Sequence, residues 1–190
     1  MVRRRVLVGC HPHPFAGHWQ ERGLRAEMGS LYPGDDITFE TMDLYNTMSV
    51  TQADITGDMF NRTHKNLRRA FDAIILPDCG GQWYDMFSTY EQTESEDLFE
   101  EDMIVIFNRL IGMLKDGGYL YLSKILMKES DFVETLKRLY GSVITFHRGY
   151  SDAEYRVRYI VVQNTQPGTH VLHSWWKSDA SISRPEYSCT

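Results

Sequence analysis

The chemistry in this chain would begin at Asp78. It closes the run Phe71-Asp72-Ala73-Ile74-Ile75-Leu76-Pro77 and is followed by Cys79-Gly80-Gly81-Gln82-Trp83. A carboxylate at that place can orient a hydroxyl or hold a proton; it can equally cap a turn. Both uses stay open. Lys124 closes a second apolar stretch, and its ammonium can stand in water as that of an ordinary strand-end lysine. Cys10, His11, His13 and His18 crowd one short loop. Imidazoles are common metal ligands, but the spacing matches no zinc pattern, so no metal is expected. A nucleophile pair of Cys10 with a histidine lacks a visible orienting group. Trp83, Tyr84, Phe87 and Tyr90 offer rings on which a base could stack, or that could pack as core or lid.

These residues depend on the elements that carry them. Ala73–Leu76 is short, β-branched and apolar throughout, as a strand buried on both faces would be. Pro77 ends its ladder and Gly80-Gly81 permits a tight turn. Ligands of open α/β sheets bind at that carboxyl end. Arg5–Gly9 reads as a first strand, followed by a helix over 16–31 in which Leu24, Met28 and Leu31 share a face. Gly17 and Gly23 each weaken that helix by about 1 kcal/mol. Pro33-Gly34-Asp35-Asp36 is a turn, Ile37–Met42 alternates as a strand, and 44–58 reads mostly as loop. Met59–Ala70 is read as a helix.

After an acidic run (Glu91, Glu94, Glu96, Asp97, Glu100, Glu101, Asp102), a helix over 98–114 carries Met103, Phe107, Leu110 and Leu114. Lys115-Asp116-Gly117-Gly118 would end it. Tyr119–Ile125 is the next strand, with Lys124 at its end. Ser130 caps a helix through Tyr140. Val143–Phe146 and Tyr155–Val162 are strands joined by a turn at Gly149–Asp152. The sum is an α/β chain with an open, mainly parallel sheet, a C-terminal antiparallel hairpin and helices on both faces. Residues 1–163 form this domain, and 164–190, polar apart from Trp175-Trp176, form a tail that packs on the domain, on a partner protein or on a second copy.

The chain has 190 residues, 42% of them hydrophobic and 13% aromatic, enough for one domain with a proper core. No apolar run approaches the roughly 20 residues of a membrane span, and no secretory signal is legible at the N-terminus. Three widely spaced cysteines form no disulfide framework. The expectation is an intracellular, cytoplasmic protein. A net charge of −6 argues against a general nucleic-acid binder. The basic residues gather at Arg3–Arg5, around Lys65, Arg68 and Arg69, and from Lys137 to Arg158, which leaves room for a local basic face.

Three segments in this order resemble class I S-adenosylmethionine-dependent methyltransferases. They are Phe71-Asp72-Ala73-Ile74-Ile75-Leu76 before an acidic tip, Leu114-Lys115-Asp116-Gly117-Gly118-Tyr119-Leu120, and the closing hairpin. The middle segment is the most specific. The resemblance implies a Rossmann-like fold and S-adenosylmethionine as cofactor. It is nearest to ribose 2′-O-methyltransferases of the FtsJ and cap-modifying type, which implies catalytic roles for Asp78 and Lys124 and RNA ribose as the substrate. A lysine beside a carboxylate can hold or remove the hydroxyl proton while the methyl is transferred in line. Those enzymes also carry an earlier lysine, near whose place lie Arg3–Arg5, and a late glutamate, near which but out of register stands Glu154.

The sequence departs from the pattern after the first strand. Val8-Gly9-Cys10-His11-Pro12-His13-Pro14 has one glycine where the family has several, and its prolines lack N–H donors. The cofactor contacts the resemblance still implies are Gly9, Asp43 for a ribose, Asp58 for an adenine edge, and Asp78. The rival reading is a catalytically inactive domain that kept the fold and serves as a structural or protein-interaction subunit.

Overall fold

The computed structural model describes residues 1–9, 15–16, 20–43, 54–56, 65–77, 107–123, 129–141, 144–152 and 157–165. Seven strands are described: β1 Arg3–Gly9, β2 Asp36–Asp43, β3 Ile55–Thr56, β4 Phe71–Leu76, β5 Leu114–Ser123, β6 Ile144–Asp152 and β7 Val157–Asn164. They form one sheet in the order β3-β2-β1-β4-β5-β7-β6. β7 is antiparallel to both of its neighbours, while the pairs from β3 to β5 are parallel. This is the expected mainly parallel sheet with an antiparallel C-terminal hairpin. The helices are α1 Glu21–Leu31, α2 with described residues 107–113, and α3 Glu129–Tyr140, with a 3-10 turn at Lys65–Leu67.

Strand alternation sorts the core onto two faces. Leu7, Ile74, Leu76, Leu120, Leu122, Ile160 and Val162 share one cluster with Phe107, Leu110 and Ile111 of α2 and Leu136 and Tyr140 of α3. Val6, Val8, Ala73, Ile75, Tyr121, Tyr159 and Val161 share the other with Leu24 and Met28 of α1. Every residue of β4 is buried, the apolar run Ala73–Leu76 as a strand covered on both sides requires and Asp72 in ion pairs. Among the described residues no helix is long and apolar enough to cross a membrane.

Several boundaries differ from those the sequence suggests. α1 starts at Glu21 rather than 16, with Gln20 at its N-cap. The loop over 44–58 contains the two-residue strand β3, which adds to the edge of β2 through Met42↔Ile55 and Asp43↔Thr56. The described part of the helix expected over 59–70 is only the 3-10 turn, closed by Ala70 N–H donating to Leu67 O. β5 begins at Leu114 and not at Tyr119, because Leu114 already pairs with Phe71. Gly149–Asp152 is not a turn. It belongs to β6, and the step from His147 to Tyr150 faces the shorter step from Val161 to Tyr159. That is a β-bulge. A Cβ on Gly149 would lie 2.7 Å from Tyr159 O, so a glycine is what lets the strands close there.

Candidate functional site

The parallel strands β1, β2, β4 and β5 end together on one rim. Gly9 pairs with Met42, Val8 with Ile75 and Leu76 with Leu122, so Gly9, Met42, Leu76 and Leu122 stand at one level. Chain order reverses at β1, whose neighbours are β2 on one side and β4 on the other. In doubly wound sheets the crevice at such a switch point is the ligand site. Gly9 is buried there, and Asp43 is the last residue of β2, one position beyond Met42. Asp58, Asp78 and Lys124 lie outside the described residues, as do Cys10, His11, His13, His18, Glu154 and the aromatic group at 83–90.

The polar contacts between α1 and the sheet, and along the sheet edge, are buried or half-buried. Tyr159 Oη donates to Gln20 Oε1 at 2.9 Å, joining β7 to the N-cap of α1, and both residues are buried. Tyr121 Oη donates to Glu27 Oε1 at 2.9 Å one turn and more further down α1. Burial and then the Glu27 carboxylate push the Tyr121 hydroxyl well above its ordinary range. Phe15 stacks on Phe39 of β2 with ring centroids 4.7 Å apart, and the Arg25 guanidinium lies 4.5 Å from the Phe39 centroid. At the edge of the sheet, Asp54 Oδ2 accepts from Thr41 N at 2.8 Å and from Thr41 Oγ1 at 3.1 Å. Among the described residues no three His, Cys, Asp or Glu side chains form a metal site.

The strongest charge cluster lies at the other end of the strands. Asp72, 3% exposed, accepts from Lys115 Nζ at 2.6 Å, Arg4 Nη1 at 2.9 Å and Arg5 N at 2.9 Å. Burial raises this carboxyl, but the Lys115 ammonium, the Arg5 amide and the Arg4 guanidinium outweigh it and hold it below the usual carboxylate range. Arg4 also pairs with Asp35 at 2.9 Å, Arg5 binds both oxygens of Glu40 at 2.6 and 2.8 Å, and Arg69 pairs with Asp116 at 2.9 Å. Arg4 and Arg5 are thus bound in ion pairs with Asp35, Asp72 and Glu40. They begin β1, whereas the rim is where β1 ends.

The same cluster accounts for the most specific of the sequence segments. Between Phe71 and Ala73 lies Asp72 alone, but between their partners Leu114 and Tyr119 lie Lys115, Asp116, Gly117 and Gly118. Lys115 reaches Asp72, Asp116 reaches Arg69, and Gly117 takes a left-handed φ of 75°. A Cβ on Gly118 would lie 3.0 Å from Asp72 O and 2.9 Å from Lys115 O. The segment builds the amino end of the sheet and leaves the carboxyl rim to other residues. Sequence reading missed the contact of Gln20 with Tyr159, because no local pattern reveals a partnership across 139 positions.

No protein-family model matches this chain, and no curated protein does. Solved structures do resemble it. A 16S rRNA (adenine(1408)-N(1))-methyltransferase with cosubstrate SAM from Catenulisporales acidiphilia has a TM-score of 0.47 at 9% identity, with 88% of each chain covered. A TehB-like SAM-dependent methyltransferase from Corynebacterium glutamicum has a TM-score of 0.47 at 12% identity, over 87% of this chain and 82% of that one. A 16S rRNA N2 G1207 methyltransferase from T. Thermophilus, in complex with AdoMet and guanosine, has a TM-score of 0.44 at 15% identity, over 87% of this chain and 36% of that one. At these scores and identities the likenesses assign neither cofactor nor substrate to this chain. What the chain itself displays is a seven-stranded Rossmann-like sheet, mostly parallel, with an antiparallel strand near its C-terminal edge.

Proposed function

We propose that this chain is an S-adenosylmethionine-dependent methyltransferase acting on RNA, with the ribose 2′-hydroxyl as its acceptor. The observation that carries the reading is the sheet itself: a mainly parallel, Rossmann-like order with a switch point at β1 and a reversed β7, the architecture that the sequence resemblance implies. The rim fits the cofactor in kind. Gly9 gives a backbone without Cβ that a ligand can approach closely. Asp43, one position beyond Met42, the register partner of Gly9, would supply a carboxylate residue suited to the two hydroxyls of a ribose. Asp58 is the residue assigned to the adenine edge.

The reactive pair would be Asp78 and Lys124. Leu76 pairs with Leu122, and each of the two residues stands two positions beyond its strand's paired residue. The cofactor supplies the methyl group. Lys124, in its neutral form, would take the proton of the 2′-hydroxyl, whose oxygen would accept the methyl group that the bound cofactor would supply. Asp78 orients Lys124 and stabilises the ammonium that forms.

Titration calorimetry with S-adenosylmethionine and S-adenosylhomocysteine, followed by transfer of labelled methyl to RNA, tests this reading. Micromolar binding, with transfer abolished in Lys124→Ala and Asp78→Ala at nearly unchanged melting temperature, is expected. Silence at millimolar cofactor would overturn it and favour the inactive, partner-binding domain.

A further inference from the structure

We infer that the bulge at Arg148-Gly149 keeps the edge strand β6 from pairing with a second copy of this chain. The inference stands apart from the reaction proposed above. Among the described residues the sheet ends at β3 on one side and at β6 on the other. An edge strand presents unpaired N–H and C=O groups to any strand that can lie beside it. β3 is only two residues long, and the adjoining Asp54 carboxylate accepts from Thr41 N at 2.8 Å, so a side chain already occupies an amide of β2 at that edge. β6 is different. It has nine residues, against about five or six for a typical strand. Thr145, His147, Gly149 and Ser151 are exposed along it. Gly149 has no side chain, so its exposure is exposure of backbone.

The local geometry is what guards this edge. Ile144 to His147 pair one for one with Asn164 to Val161, and Tyr150 to Asp152 with Tyr159 to Val157. Between these runs Arg148 and Gly149 both face Ile160. The extra residue bends the strand and increases its twist. Gly149 is drawn so close to β7 that a Cβ there would lie 2.7 Å from Tyr159 O. The outer edge is thereby broken into regular runs of four and three residues. A straight neighbour can follow one run but not both, and so short a pairing is marginal in water. Removal of one bulge residue changes this without disturbing the pairing with β7. His147 keeps Val161, Tyr150 keeps Tyr159, and the single residue left between them faces Ile160. The edge is then continuous and only one residue shorter than the nine of β6.

The test compares the full chain with two deletion variants, one lacking Gly149 and one lacking Arg148, by size exclusion with light scattering over about two decades of concentration. Both deletions are expected to gain a concentration-dependent doubling of mass that the unaltered chain lacks. The variant without Gly149 retains the arginine, so a gain there belongs to the bulge and not to a lost charge. Thr145→Lys with Ser151→Lys in either deletion background is expected to return the mass to that of the unaltered chain, because lysines along an edge repel a like edge. A deletion variant that keeps the native circular dichroism and shows no gain in mass overturns the inference. So does a gain confined to the variant without Arg148, or one that the lysines do not reverse. Hydrogen exchange on the unaltered chain tests the inference without any deletion. The amides of β6 are expected to exchange at a rate independent of protein concentration. Slowing as concentration rises means that β6 already pairs with a second copy, and overturns the inference.

Discussion

Lys115 Nζ lies 2.6 Å from Asp72 Oδ2, with the carboxylate buried and the lysine stem partly exposed. Together they tie β4 to β5 at the amino end of the sheet, and Arg4 and the Arg5 amide add β1 to the same carboxylate. Three strands share one anion. Removing it leaves three donors facing a neutral group, which for hydrogen bonds to charged partners costs about 2 kcal/mol in this partly exposed setting. Asp72→Asn should lower stability by that amount in chemical denaturation, while cofactor affinity at the opposite rim stays within error.

The same residue predicts a pH dependence. Its folded carboxyl lies below the ordinary value, so its stabilisation is fully present above the unfolded pKa of about 3.9. It is lost as pH falls through the folded value. The unaltered chain should therefore lose melting temperature more steeply than Asp72→Asn on acidification below about pH 4. Parallel curves would show that Asp72 has no special role in acid stability.

Tyr140 makes the opposite prediction. Burial alone is the cause that raises its hydroxyl above the ordinary range. Its neutral form is the one the fold accepts, so the stabilisation is complete below the unfolded pKa near 10 and is lost as pH rises through the folded value. Tyr140→Phe should resist alkaline unfolding better than the unaltered chain between pH 9 and 12. Melting temperatures across that range decide it.

Glycines 117 and 118 separate two kinds of constraint. Gly117 needs its left-handed φ of 75°, and alanine there costs about 1 to 2 kcal/mol of backbone strain. At Gly118 the obstacle is space, because a Cβ would meet backbone oxygens of both Lys115 and Asp72. Gly118→Ala should cost about 1 to 3 kcal/mol. In urea melts, Gly117→Asn should recover part of the Gly117→Ala loss, since asparagine tolerates that conformation. Gly118→Asn should recover nothing.

For the rim, Asp43→Ala should weaken S-adenosylmethionine binding at least tenfold and leave the melting temperature within about 2 °C, as expected of a carboxylate at a strand end that binds ribose hydroxyls. Calorimetry and a thermal melt on the same sample check both halves. A stable protein with unaltered affinity would place the ribose elsewhere.

The sequence alone determined the alternation of strands and helices, and it did so through local physics. Ala73–Leu76 could only be a doubly buried strand, and the spacing of Leu24 and Met28 put them on the inner face of α1. The reversed hairpin was legible for the same reason. Tertiary structure decided the rest. Gly149 looks like a turn residue in sequence, yet the approach of Tyr159 O makes it the bulge of a continuing strand. Arg4 and Arg5 look like a free basic group until Asp72, Asp35 and Glu40 arrive from other strands. Lys115-Asp116-Gly117-Gly118 reads in sequence as the end of a helix and proves to be the brace at the amino end of the sheet. Periodicity reports which face a residue buries, because burial repeats with the geometry of its own element. It is silent on which distant group will share that face, because a hydrogen bond such as that from Tyr159 to Gln20 joins positions 139 residues apart, and only the packed sheet brings them together.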